Sequence, residues 1–152
     1  MGDLKTLETT LVGVTGEYYV AAELSIRGYL AAVTLRNSRG IDMIASNADA
    51  SRSVSIQVKT SKGGQPKWML NKKAESYVAD GHYYVFVVLN AVGQHPDFYV
   101  VPSRAVSEYV TTTLREWLAG TNKQGKPNKD SGMRWFRDDE GRYKDAWSLL
   151  RL

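Results

Sequence analysis

Apolar residues along this chain recur with two different periods. Leu7, Leu11, Val14, Tyr18 and Ala22 return every three or four positions, which predicts an amphipathic helix from about Leu4 to Arg27 with Gly28 as its C-terminal cap. Tyr29 to Leu35 reads as a first strand, Asn37-Ser38-Arg39-Gly40 as a turn and Ile41 to Ala45 as a second strand. After a polar turn from Asn47 to Arg52, the run Ser53-Val54-Ser55-Ile56-Gln57-Val58-Lys59-Thr60 alternates, polar at odd positions and apolar at Val54, Ile56 and Val58. A period of two is a half-buried strand, so Gln57 and Lys59 project side by side from one face.

The second half begins with a Gly/Pro-containing loop, Ser61 to Pro66, that cannot continue the strand. A short helix is expected around Asn71 to Ala79. His82 to Leu89 is the most apolar run and reads as a central strand, with Asp97 to Val101 pairing beside it. Pro102-Ser103 opens a second long helix to about Leu118, with Ser103 as its N-cap. Gly120 to Gly132 reads as a mobile basic loop. Asp145 to Leu150 reads as a short helix or turn that docks Trp147 and Leu150 on the core, and Trp117 reads as packing too. This order predicts an α/β fold, a mixed sheet of about five strands flanked by helices, in one domain spanning 1–152.

Composition narrows the chemistry. The 152 residues include no cysteine, which excludes disulfides, a thiol nucleophile and thiolate zinc sites, and fits an intracellular protein. No apolar run approaches the roughly 18 residues of a membrane span, so a membrane-embedded protein is not expected. His82 and His95 lack the spacing of a zinc pair and read as structural or surface groups.

The net charge is +4, and its distribution says more than its sum. Lys59, Lys62, Lys67, Lys72 and Lys73 follow the alternating strand closely, and Lys123, Lys126, Lys129 and Arg134 lie in and just after the later loop. Two basic patches suit a polyanion such as double-stranded DNA. Trp68, flanked by these lysines, is a candidate contact beside Lys62, Lys67, Lys72, Lys73, Lys123, Lys126, Lys129 and Arg134.

The candidate chemistry centres on the strand. Hydrolysis of a phosphodiester needs a metal to stabilise developing charge, a deprotonated water and groups that position both. Asp42 can supply a carboxylate at the start of the second strand, the Gln57 side chain a neutral carbonyl oxygen, and Val58 its backbone carbonyl. These are the hard oxygen donors that Mg²⁺ prefers. Lys59 can polarise a phosphate oxygen or orient the attacking water. Glu17, on the first helix, can reach the same edge directly or through a water.

Glu17, then Gly40-Ile41-Asp42, then Gln57-Val58-Lys59 resembles the motif set of the PD-(D/E)XK nuclease superfamily. The motifs cover about Gly16 to Lys62. The resemblance implies a core of helix, three-stranded meander, helix and strand, with catalytic roles for Glu17, Asp42, Gln57 and Lys59 and metal ligation by Asp42, Gln57, Val58 and Glu17. Gly40-Ile41 stands where the family has Pro, and Gln57 replaces an acidic residue, which removes one negative charge. A Gln-x-Lys tripeptide in so short a chain is most similar to the group I intron homing endonucleases of this superfamily. That implies a site-specific endonuclease using Mg²⁺, with Mn²⁺ substituting, acting on double-stranded DNA as a homodimer or homotetramer. Junction-resolving, repair and restriction-type nucleases share the core, as would a non-catalytic DNA-binding relative.

Overall fold

A computed structural model describes residues 3–35 and 39–152. The Asn37-Ser38 part of the expected turn lies outside the described residues. A 3-10 turn, Leu4–Thr6, precedes helix α1, Thr9–Ile26, and the strands β1, Leu30–Val33, β2, Met43–Ser46, and β3, Ser53–Ser61. Strand β4, Lys67–Asn71, runs into a 3-10 turn, Lys72–Glu75; then come β5, His82–Val88, β6, Asp97–Pro102, helix α2, Ser103–Ala119, and β7, Met133–Arg137. A final 3-10 turn, Trp147–Leu150, ends the chain's regular structure.

The main sheet has five strands in the order β1-β2-β3-β5-β6, with β3 and β5 parallel and the other neighbours antiparallel. Its two faces bury different sets. Val54, Ile56, Val58, Val85 and Val87 pack with Val12, Val20 and Leu24 of α1, and Trp147 and Leu150 join this core. Tyr84, Phe86, Val88 and Tyr99 face the other way and pack with Trp68, Leu70 and Phe136 of a two-stranded β4–β7 ribbon and with Val106 and Val110 of α2. The strict alternation along β3 is therefore a strand with helix α1 under one face and a cleft, a ribbon and α2 over the other.

Several expectations change. The first helix is interrupted: Leu7 (φ −63°, ψ 129°) and Glu8 (φ −61°, ψ 141°) are extended, so the 3-10 turn and α1 are separate. Its buried face is Val12, Gly16, Val20 and Leu24, not the Leu11–Tyr18 line, where Tyr18 is 67% exposed. The helix is apolar around most of its circumference, so periodicity alone could not choose the face; the glycine, which permits close approach, did. Its end is as expected: Gly28 has φ +83°, its N–H bonds the Ser25 carbonyl, and the Tyr29 N–H bonds Leu24. That pair of bonds is a Schellman cap.

Asn71 to Ala79 forms only the Lys72–Glu75 turn. The N-cap of α2 is Pro102; Ser103 is the first helical residue, and its buried hydroxyl donates to the Ala79 carbonyl at 3.1 Å. The loop 120–132 is internally bonded: Asn122 Oδ1 accepts from the N–H groups of Gln124 and Lys126 at 2.9 and 3.0 Å, and Asn128 Nδ2 donates to the Trp117 carbonyl. Trp117 is 54% exposed and does not pack in the core.

Candidate active site

The register of β2 on β3 pairs Met43 with Ile56, and Asp42 immediately precedes that pair. The Asp42 N–H bonds the Ile56 carbonyl at 2.9 Å, and the next bond of the ladder is made by the side chain: Asp42 Oδ2 accepts from the Val58 N–H at 2.8 Å. That bond turns the carboxylate into the opening between β2 and β3. In an extended residue the N–H and C=O point to the same edge, so the Val58 carbonyl faces the same opening. Among the described residues the second carboxylate oxygen has no hydrogen-bond partner.

Gln57 and Lys59 project on the face opposite α1, alongside Tyr84 and Phe86, their register partners on β5. Gly40 (φ +82°) brings the chain back beside them; a Cβ there would lie 3.6 Å from Gln57 Nε2 and 3.7 Å from Oε1. Gln57 and Lys59 line a cleft of about 270 Å³ with Arg39, Gly40, Asn71, Lys73 and Tyr77, and Tyr84 lies at its base. Burial, and the phenol of Tyr77 nearby, push the Tyr84 hydroxyl up to about 12. Asp42 is half-buried; it follows Gly40 by two residues and, unlike Gly40, does not line the cleft.

Glu17 comes from the other side of the sheet. Its neighbour Gly16 meets Thr60 of β3 so closely that a Cβ would lie 1.8 Å from Thr60 Oγ1. On the same helix Glu23 Oε1 meets His95 Nε2 at 2.9 Å, and the Tyr19 ring stands edge-on to His95, in the β5–β6 connection. Glu17 is about 200° around the helix from Tyr19, so it lies on the flank turned toward β1 and β2. It is half-buried and does not line the cleft.

Two proposed DNA contacts are corrected. Trp68 is 2% exposed; its Nε1 donates to the Val87 carbonyl at 2.9 Å, and its ring packs against Phe86 and Tyr99. Its neighbours Lys67 and Met69 point outward because β4 alternates, and the lysines suggested an exposed site that the tryptophan does not share. Arg134 is 4% exposed and bound by carboxylates, Glu75 at 2.6 Å and Asp130 at 2.8 Å. Its hydrogen bonds hold the Asp130 carboxyl well below the usual carboxylate range. Such a guanidinium is a structural tie. Lys72 also leans on Asp130, at 3.4 Å, and Lys67 sits over the Trp135 ring at 4.1 Å. Lys62, Lys73, Lys123, Lys126 and Lys129 are exposed.

The histidines take the structural roles expected. His82 is buried, with Nδ1 2.8 Å from Ser55 Oγ, and burial lowers its pKa. Missing from the sequence reading were Asn71 and Tyr77, which line the cleft only because β4 and the following turn fold back over β3.

The donors beside the Asp42–Val58 bond are of the kind that could hold a divalent cation. The set is a carboxylate with one uncommitted oxygen, an amide carbonyl and a backbone carbonyl, all hard oxygens, which suits Mg²⁺ with waters and phosphate filling the remaining positions. Among the described residues no group of three or more His, Cys, Asp or Glu side chains gathers to hold a metal, so the site is not an all-acidic cage.

The sequence matches no protein-family profile and no curated protein. By structure the chain is similar to a bacterial homing endonuclease, I-Ssp6803I, with a TM-score of 0.55 and 13% identity, over 94% of this chain and 91% of that one. It also aligns with the Holliday junction resolvase Hjc of Archaeoglobus fulgidus, with a TM-score of 0.49 and 16% identity, over 86% of each chain. The fold is restriction-endonuclease-like.

Proposed function

We propose that this chain is a metal-dependent DNA endonuclease whose site is the β2–β3 opening, with Asp42, Gln57 and the Val58 carbonyl as metal ligands and Lys59 beside the reacting phosphate. The observation that carries the reading is the Asp42–Val58 hydrogen bond, which fixes a carboxylate at the strand opening flanked by Gln57 and Lys59. A bound Mg²⁺ supplies charge stabilisation and a more acidic water. The chain's own groups do the rest. Asp42, already hydrogen-bonded, keeps its orientation without reorganising. Lys59 brings a cation to where charge develops on the phosphate oxygens, and it orients the attacking water by hydrogen bonding. Hydrolysis forms a bond from the water oxygen to phosphorus and breaks one to a sugar oxygen, which leaves with the water's proton. Glu17, on the flank of α1 facing β2, contributes through a water at the margin of the site.

The finer reading is a site-specific homing endonuclease. It is supported by the fold match to I-Ssp6803I, which runs almost end to end, and by the Gln-x-Lys tripeptide. Exposed Lys62, Lys73, Lys123, Lys126 and Lys129 then meet the backbone of double-stranded DNA. One site cuts one strand, so double-strand cleavage calls for copies related by a two-fold axis, as a dimer or tetramer.

The test is cleavage of supercoiled plasmid carrying a randomised insert, with Mg²⁺ or Mn²⁺. Wild type nicks or linearises it, and Lys59→Ala is slower by about 100-fold or more, the scale of losing one positioned electrostatic group. Wild type and Lys59→Ala giving the same products at the same rate would sink the reading.

A further inference from the structure

The cleft beside Lys59 has a charge pattern of its own. Among the described residues that line it, Arg39, Lys59 and Lys73 are cations and none is acidic. Its walls come from separate parts of the chain: Gln57 and Lys59 from β3, and Asn71 and Lys73 from the end of β4 and the turn after it. The two lysines of that turn differ. Lys72 Nζ is 3.4 Å from Asp130, whereas Lys73 has no salt-bridge partner among the described residues.

The turn is firmly held, so the position of Lys73 is built in. Asn71 Oδ1 accepts from the Lys73 N–H at 3.0 Å, and the Tyr77 N–H donates to the Lys73 carbonyl at 2.8 Å. Ala74 is buried, Ser107 Oγ donates to the Glu75 carbonyl, and the buried Arg134 donates to Glu75 Oε1 at 2.6 Å. Arg134 therefore positions the turn from behind. Like charges sharing a cleft repel one another unless an anion joins them. The volume, about 270 Å³, falls just below the roughly 300–1,000 Å³ of pockets for drug-sized ligands. It suits one sugar-phosphate unit, not a base pair.

We propose that Lys73 is a second phosphate-binding cation of this site, holding with Asn71 a backbone phosphate adjacent to the one beside Lys59. The identification of that phosphate as DNA rests on the endonuclease reading; the anion site does not. Lys73 thereby fixes the strand so that the bond next to Lys59 is the one cut.

Two measurements on the full-length chain test this. In steady-state DNA cleavage, Lys73→Ala lowers kcat by about tenfold or more with KM changed by less than about threefold, Lys73→Arg recovers most of the loss, and Lys72→Ala, outside the cleft, gives no such loss of kcat. In titration with inorganic phosphate followed by amide NMR, wild type gives saturable shifts at Asn71 and Lys73 that Lys73→Ala abolishes. Lys73 is exposed, so both variants keep the wild-type melting temperature. Wild-type kcat in Lys73→Ala, or a rise in KM matched by Lys72→Ala, overturns the proposal in favour of a diffuse basic surface. So does phosphate titration without saturable shifts at these residues. A wild type that cuts no DNA yet binds phosphate through Lys73 keeps the anion site and discards the endonuclease.

Discussion

Gly16 on α1 and Thr60 on β3 meet so closely that a methyl on Gly16 would lie 1.8 Å from Thr60 Oγ1. Contact at that range seats α1 against the half of β3 that carries Gln57 and Lys59. Gly16→Ala overpacks it at a cost of about 1–3 kcal/mol, offset by the ~1 kcal/mol that Ala gains over Gly in a helix. Urea unfolding is expected to show a net loss of up to about 2 kcal/mol. A double-mutant cycle with Thr60→Ala gives a favourable coupling, because the hydroxyl and one methyl are gone. Zero coupling would mean that the two residues do not press on one another.

Asp42 buttresses β3 and, in the proposed endonuclease, supplies the site's carboxylate; the two roles separate by substitution. Asp42→Asn keeps an oxygen to accept the Val58 N–H, whereas Asp42→Ala removes the acceptor. Stability measured by denaturation falls by about 1 kcal/mol more in the alanine variant. Mg²⁺-dependent cleavage falls by about 100-fold or more in both, since both lose the charge. Glu17→Gln, on the opposite face of the sheet, has a smaller effect than either.

Trp68 and Arg134 act on stability rather than on DNA. Trp68→Ala costs about 3–5 kcal/mol, the range for emptying an aromatic site in a core. Trp68→Phe retains most of the packing and leaves duplex affinity, measured by fluorescence anisotropy, within about twofold of wild type. Arg134→Ala removes the tie to Glu75 and Asp130 and lowers the melting temperature. A folded Trp68→Phe protein with strongly weakened DNA binding would restore the tryptophan to the contact surface.

His82 gives stability a pH dependence. Burial lowers its pKa below the ordinary 6.5. On acidification the unfolded chain takes up that proton first, so the unfolded state binds more protons in this window and stability falls as the pH drops from about 7 toward 5. Below that range, Asp130 and Glu23 add their own losses. Burial raises Glu23, but bonds from Arg27 and His95 outweigh it, and both carboxyls are lowered overall. The melting temperature of wild type therefore declines between pH 7 and 5.5, and His82→Gln flattens that part of the profile. An equal decline in the variant would assign the effect elsewhere.

That Gln57 and Lys59 share one face of a strand was legible because β3 alternates: a period of two cannot slip without exposing Val54, Ile56 and Val58. The order of the five sheet strands' segments was legible for the same reason. The β4–β7 ribbon was not, because its strands are short and far apart in sequence, and Arg134 occupies an inward position that looks polar until Glu75 and Asp130 are brought to it. The face of α1 was misread because Leu11, Tyr18 and Ile26 are as apolar as the buried line, yet Ile26 is 83% exposed. Asn71 and Lys73 joined the cleft through tertiary folding alone, which no local pattern encodes.

The most direct test of the central claim is anomalous scattering from Mn²⁺ in a crystal of the full chain with duplex DNA. A peak is expected at the β2–β3 opening within roughly 2.0–2.3 Å of an Asp42 carboxylate oxygen and Gln57 Oε1, with the Val58 carbonyl alongside and Lys59 at the adjacent phosphate. A Mn²⁺ peak elsewhere on the chain, with Asp42 bonded only to Val58 and no metal beside Gln57, would contradict it.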